Sequence, residues 1–140
     1  MTADDLIASL DLSPHPEGGW YRQTWSGPET PRPSGTCIYF LLKEGERSHW
    51  HRVDAVEIWH FYAGAPLVLS LSATRDGPAT DHVLGSRFAE GEQPQIIVPQ
   101  DHWQAARATE GWSLVGCTVS PGFTFDGFTL AEPGFDIPHA

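Results

Sequence analysis

The segment Ser48-His49-Trp50-His51-Arg52-Val53-Asp54-Ala55-Val56-Glu57-Ile58-Trp59-His60 holds the densest set of side chains able to bind a metal or move a proton. Alternate residues of an extended strand share a face, so His49 and His51 are expected to project together. A turn at Asp54 then returns a second strand with Glu57, Trp59 and Phe61 on one side. Two neutral imidazoles and a carboxylate suit one divalent transition metal, Zn, Fe, Mn or Ni, and three protein ligands leave positions open for water or substrate. The same residues support chemistry without a metal. A carboxylate that orients an imidazole, Glu57 beside His51, makes it a general base at an acidic C–H, as epimerases and isomerases require, with Tyr39 or Tyr62 returning the proton from the opposite side. His60 has the other parity and is expected to point away.

Flat aromatic faces next to these residues could line a pocket for a sugar ring or another planar group. Trp20, Trp59 and Trp103 are the candidates, with Phe61 on the face of Glu57; core packing is the alternative for each. Arg22 alternates with Trp20 and Thr24 and could clamp a substrate carboxylate or phosphate, or pair with Glu17 or Glu57. The Gly and Pro of His15-Pro16-Glu17-Gly18-Gly19 are expected to shape a turn in which His15 and Glu17 cap backbone groups, with a contact to the pocket of a dimer partner as the alternative.

These side chains must be held by strands. Leu6, Ile7 and Leu10 recur at helical spacing behind a Thr2-x-x-Asp5 capping pattern, which predicts one short helix ended by Pro14 and Pro16. Strand-like runs follow at Trp20–Trp25, Thr36–Leu42, Ser48–Val53, Val56–Tyr62, Leu67–Ser72, His82–Leu84, Gln95–Val98, Trp112–Val119 and Phe123–Leu130. Turn residues between them, such as Ala63-Gly64-Ala65-Pro66 and Thr109-Glu110-Gly111, give the spacing of an antiparallel sandwich or barrel. Residues 132–140 read as a short strand and a loose tail.

Length and composition exclude several classes. The 140 residues correspond to one domain at ~150 residues per domain. A net charge of −10 repels phosphate backbones and anionic lipid, so nucleic acid and membrane surfaces are poor partners. The longest apolar run is Cys37–Leu42, and the opening residues lack a basic leader, so a soluble cytoplasmic protein is expected. Cys37 and Cys117 sit in apolar strand-like runs and read as buried free thiols. There is no phosphate-cradling Gly-rich loop, Gly-x-Ser-x-Gly elbow or Cys-x-x-Cys pair.

Gly45, His49, His51, Glu57 and Gly64 follow one another in the order of the first motif of the cupin superfamily, with three residues between Gly45 and His49 and five between His51 and Glu57. Gly91, Pro99 and the run to Gln104 resemble its second motif. Counted from Pro99, the last metal-ligand slot falls on Gln104, or on His102 if the turn is shifted. From about His15 to about Leu130 the chain resembles the cupin-5 family, also called DUF985, through His15–Arg22, Glu57–Phe61, Pro94–Pro99 and Leu114–Phe123. Members commonly keep a His at the position of His51 and lack one at His49.

The resemblance implies an all-β double-stranded β-helix, a cupin jelly-roll barrel. Residues 1–14 form the N-terminal helix and lead-in, 15–130 the barrel and 131–140 a tail. It also implies a homodimer and sets His49, His51, Glu57 and Gln104 at the cupin metal positions, but it implies no known reaction; the residues themselves suggest a small-molecule ligand in the barrel, with His51, Glu57 and Tyr39 as the acid–base set. Three readings follow: an isomerase or epimerase acting on a carbohydrate-like or small polar substrate, a metal-dependent dioxygenase or other oxidoreductase, and a non-catalytic ligand-binding cupin.

Overall fold

The computed structural model describes residues 1–140. Helix α1 (Ala3–Ser9) is closed by the expected device: Thr2 accepts the Asp5 N–H and the Asp5 side chain accepts the Thr2 N–H. Strands follow as β1 (Ser13–Pro14), β2 (Trp20–Ser26), β3 (Thr36–Leu42), β4 (Arg47–Val53), β5 (Val56–Gly64), β6 (Leu67–Ser72), β7 (Thr80–Leu84), β8 (Gln95–Val98), β9 (Trp103–Ala108), β10 (Ser113–Ser120) and β11 (Phe128–Leu130). They form a six-stranded sheet in the order β1-β2-β3-β10-β5-β8 and a five-stranded sheet in the order β11-β4-β9-β6-β7. Every pairing between these strands is antiparallel, and β10 inserts between β3 and β5, so strands distant in sequence close the jelly-roll barrel. No helix is long and apolar enough to cross a membrane.

The alternation of side chains sorts residues between two faces. Phe40, Leu42, Trp59, Leu69, Val98 and Val115 point between the sheets and fill most of the barrel. Leu41 and Leu114 point outward and pack under α1 with Leu6 and Leu12. Burying one such Leu contributes ~1.5–3 kcal/mol, so the inner cluster is the main source of stability.

Three expectations are corrected. Trp103–Ala108 is a strand that the sequence pattern did not mark, because Gln-Ala-Ala-Arg-Ala has high helix and low strand propensity. It lies between β4 and β6 in the sheet, where hydrogen bonds on both edges override that preference. The Phe123–Leu130 run is broken by a 3-10 turn at Phe125–Gly127, and only β11 is strand. The C-terminal segment is not loose: Ile137 is fully buried with Trp50, Ala79, Trp103 and Ala131 outside the five-stranded sheet. Backbone bonds from Ala131 N to Trp50 O and from Ala79 N to Pro138 O pin it at both ends.

Candidate functional site

A β-bulge in β4 decides which of its histidines enters the barrel. Arg47 pairs with Arg107 and Ser48 with Ala106, but the next pair is His51 with Gln104, so three steps on β4 oppose two on β9. One extra residue breaks the two-residue period. Ser48 and His51 both face inward, while His49 and Trp50 both lie toward the outer face. The His49 N–H, released from the ladder, donates to Glu17 O at 2.7 Å and docks the His15–Gly19 turn onto the barrel.

That turn requires its two glycines. Gly18 (φ +106°) and Gly19 (φ +77°) both lie in the left-handed region, and a Cβ on Gly18 would stand 2.3 Å from Arg47 O. Bonds from His15 N to Gly19 O and from Gly18 N to His15 O, each 3.0 Å, close the turn and carry Glu17 and His15 over the cavity.

The cavity, about 160 Å3, lies at one end of the barrel. Its polar wall is His15, Glu17, His51, Glu57 and Cys117, with Tyr21, Gln23 and Thr36 beside them. Ile38, Val53, Val119, Phe123 and Phe125 form the apolar wall. His51 Nδ1 lies 2.8 Å from His49 O, which assigns the proton to Nδ1 and leaves Nε2 as an acceptor, 3.6 Å from Glu17 Oε2. The Ser48 hydroxyl donates to Glu17 Oε2. His15 Nδ1 accepts the Glu17 N–H at 3.2 Å and stands 3.3 Å from Glu17 Oε1. Glu57 Oε1 accepts from Gln104 Nε2 at 2.8 Å, and Gln104 Oε1 accepts from Trp59 Nε1 at 2.8 Å. This chain of fixed donors orients the Glu57 carboxyl.

Burial sets the protonation states. It raises Glu17 to about 8 against the opposing Ser48 bond, and raises Glu57 to about 7 although the neighbouring His51 pulls it down. Burial lowers His51, and it lowers His15 to about 4 with help from His51. The Cys117 thiol is pushed up by burial and by Glu57. At neutral pH both imidazoles are uncharged and Glu17 is mostly a carboxylic acid, so the contacts of Glu17 with them are not ion pairs. Both cysteines are free.

Of the residues expected at the site, His51, Glu57 and Gln104 converge. His102 does not enter; its ring lies 3.5 Å from Gln100 O on the outside. Trp59 faces inward but is 1% exposed, packed edge-on to Phe40 and holding Gln104, and Phe61 packs against the apolar core beyond the cavity. The remaining candidates lie elsewhere. His49 Nε2 bonds Glu132 O at 2.9 Å outside the barrel. Trp20 pairs with Leu41 and Arg22 with Tyr39 in the outward register, so these side chains lie on the outer face. Trp20 packs near α1, Arg22 Nη1 donates to Leu10 O at 3.0 Å, and Tyr39 sits under the Arg22 guanidinium and beside Tyr62. Trp103 is outside, beneath the C-terminal segment, with the Arg52 and Arg75 guanidiniums over its ring.

The four-ligand metal set is therefore not assembled. His49 faces away, and both ends of the Gln104 amide are engaged. No group of three or more His, Cys, Asp or Glu side chains is arranged to hold an ion. The donors present do not fit the expected divalent metal.

Sequence reasoning gave His15 and Glu17 capping roles, with Glu17 also a candidate partner of Arg22, and did not set Tyr21, Cys117 or Ser48 at the site. The available signal was the Gly18-Gly19 pair directly after Glu17: consecutive glycines mark backbone pressed against other backbone, here β4.

Comparison with known proteins places this geometry in a family. The family model described as "Cupin superfamily (DUF985)" matches residues 4–131. A crystal structure of a Shewanella oneidensis protein is 43% identical, with a TM-score of 0.88 over 94% of this chain and 85% of that one. A hypothetical protein from Leishmania major is 30% identical, with a TM-score of 0.86 over 96% of this chain and 90% of that one. Oxalate decarboxylase from Bacillus subtilis is 16% identical, with a TM-score of 0.67 over 86% of this chain and 30% of that one, a likeness of fold alone. No curated protein matches the chain. With the family model spanning nearly its whole length and the barrel matching in three dimensions, the chain belongs to the DUF985, or cupin-5, family of the cupin superfamily.

Proposed function

We propose that the protein is an acid–base catalyst of the isomerase or epimerase type, acting without a metal on a small neutral hydroxycarbonyl compound in the barrel cavity. The observation that carries this reading is the enclosed placement of a neutral imidazole, His51, between two carboxyls whose affinities for protons are raised to about 8 for Glu17 and about 7 for Glu57. Groups that titrate near neutrality can both take and return protons there.

His51 Nε2 takes the proton from the carbon next to the carbonyl, and the Glu57 carboxylate stabilises the imidazolium. The Glu17 carboxylic acid gives its proton to the carbonyl oxygen, producing an enediol. Return of the His51 proton to the neighbouring carbon, with the second hydroxyl returning its proton to Glu17, completes an isomerisation and restores both groups. The outward placement of Tyr39 removes it from this scheme.

Cavity and charge narrow the substrate. At ~30 Å3 per water, about 160 Å3 holds roughly five waters, which suits a three- or four-carbon compound or the reacting end of a longer one. No Lys or Arg lines the cavity, and two carboxyls do, which favours a neutral substrate over a carboxylate or phosphate. The metal-dependent oxidoreductase reading has weaker support, because His49 faces away and both ends of the Gln104 amide are engaged.

The test is deuterium wash-in. The chain is incubated in D2O with dihydroxyacetone, glyceraldehyde and erythrose, and loss of C–H signal is followed by proton NMR. Exchange above the buffer rate for at least one compound is expected. Saturable binding without exchange would sink the enzyme reading and leave the ligand-binding one.

A second copy of the chain is the partner that suits the outer face of the six-stranded sheet. Trp25 (51% exposed), Val56 (39%), Tyr62 (48%) and Ile97 (61%) share this face, and no Asp or Glu projects from its strands there. Two chains of net charge −10 repel least across such a face, which carries no carboxylate and one guanidinium, that of Arg22. Light scattering at micromolar concentration is expected to give a dimer mass that Ile97→Glu reduces to the monomer; a monomer mass for the unaltered chain overturns this.

A further inference from the structure

The outer face of the five-stranded sheet carries a second concavity of about 500 Å3, apart from the chemistry above. Strands β4, β6 and β9 form its floor and the C-terminal segment near Gly134 and Phe135 its wall. Arg47 and Arg107 are direct cross-strand partners at this floor. Like charges opposite one another on paired strands are destabilising.

Arg107 is compensated, through Asp81 Oδ2 at 2.9 Å and Ser70 Oγ at 3.2 Å, and His139 shares the same Asp81. Arg47 is not. Of the eight Lys and Arg in a chain with eighteen Asp and Glu, every other cationic group has a hydrogen bond, an ion pair or an aromatic ring against it. The one carboxylate lining the cleft, Asp136, directs its Oδ1 to Trp50 Nε1 and to the Ile137 N–H, both at 2.9 Å. His49, turned outward by the β4 bulge, lines the same cleft.

We propose that this cleft binds a small soluble dianion of the phosphate monoester class between Arg47 and Arg107. Guanidinium forks match phosphate oxygens, and a doubly charged group offsets the repulsion between the two, which Asp81 relieves by direct contact at Arg107 and Asp136 relieves only at longer range at Arg47. The volume lies within the ~300–1,000 Å3 of small-molecule sites, leaving room for an organic part against Phe135. The cleft thus accepts the charge type that the inner cavity rejects. Strand β4 joins the two sites: Ser48 bonds Glu17 inside while its neighbours Arg47 and His49 line the cleft outside.

The test is an NMR titration of the ¹⁵N-labelled full chain with inorganic phosphate and with phenyl phosphate, using chloride at matched ionic strength as the reference. Saturable shifts are expected at the amides of Arg47, His49, Ala105 and Gly134. Arg47→Ala should raise Kd by about tenfold, with Arg47→Lys between the two. Because the Arg47 guanidinium makes no hydrogen bond or ion pair within the chain, the variant should keep its fold, which the rest of the spectrum reports. Shifts that stay linear, that chloride reproduces, or that Arg47→Ala leaves unchanged overturn the proposal. So does Arg47-dependent co-sedimentation with phosphatidic acid vesicles in the absence of a saturable response to either soluble probe, which assigns the cleft to a lipid headgroup.

Discussion

His51→Gln is expected to slow deuterium wash-in by about two orders of magnitude or more, within the ~10²–10⁴-fold typical of a positioned general base. The amide cannot take a proton, yet it can preserve much of the ring's volume and its bond to His49 O. Glu57→Gln should have a comparable effect for a different reason, since the imidazolium formed in the reaction would lose its counter-charge. Gln104→Leu should cost less, because it frees the Glu57 carboxyl without removing it. Variants at His49, Trp20, Arg22 and Tyr39 serve as contrasts, as these side chains lie outside the cavity. The pH profile adds a second readout. The rate should rise as Glu57 ionises near pH 7 and fall as Glu17 loses its proton near pH 8, giving a narrow bell. A loss equal in His49→Ala and His51→Gln would show that the chemistry resides elsewhere.

The second large effect concerns stability. Glu17 titrates at 4.5 in the absence of the fold and at about 8 within it, so between those values the folded chain holds a proton that the unfolded chain has released. Stability from this group therefore falls as pH rises from 4.5 to about 8. Glu57 acts in the same direction up to about 7. His15 acts oppositely. Its affinity falls from 6.5 to about 4 on folding, so its contribution is lost as pH drops through that range. Together these place the optimum in mild acid. Glu17→Gln keeps an acceptor for the Ser48 hydroxyl and removes the charge. It should stabilise the fold by about 1 kcal/mol or more near pH 8, about 3 °C in Tm, with the gain vanishing toward about pH 4. Thermal melts of both proteins across that range check the sign; parallel curves would show that Glu17 is not buried as described.

Much of the fold was legible because it depends on local rules. The capping box of α1, the β-branched and aromatic runs of β3, β6 and β8, and the turn residues between strands each act over a few positions. Strand β9 was not legible, since Gln104 to Ala108 carries no strand signature and is held extended by neighbours on both edges. The inward placement of Gln104 followed from motif spacing, but not its task. Spacing does not reveal that Trp59 and Glu57 occupy the two ends of its amide.

The sequence by itself determined that His51 and Glu57 would stand on consecutive strands joined by a turn at Asp54, although β4 and β5 lie in opposite sheets and the inward turn of His51 depends on the bulge. It also determined the all-β architecture and the acidic, anion-repelling character of the chain. Only the tertiary structure decided that His49 leaves the barrel and Glu17 enters it. One extra residue in β4 inverts parity locally, and the strand NH it frees captures the Gly18-Gly19 turn from a distant part of the chain. A bulge is set by which strands pair and what docks on them, a long-range condition that no short stretch of residue types records.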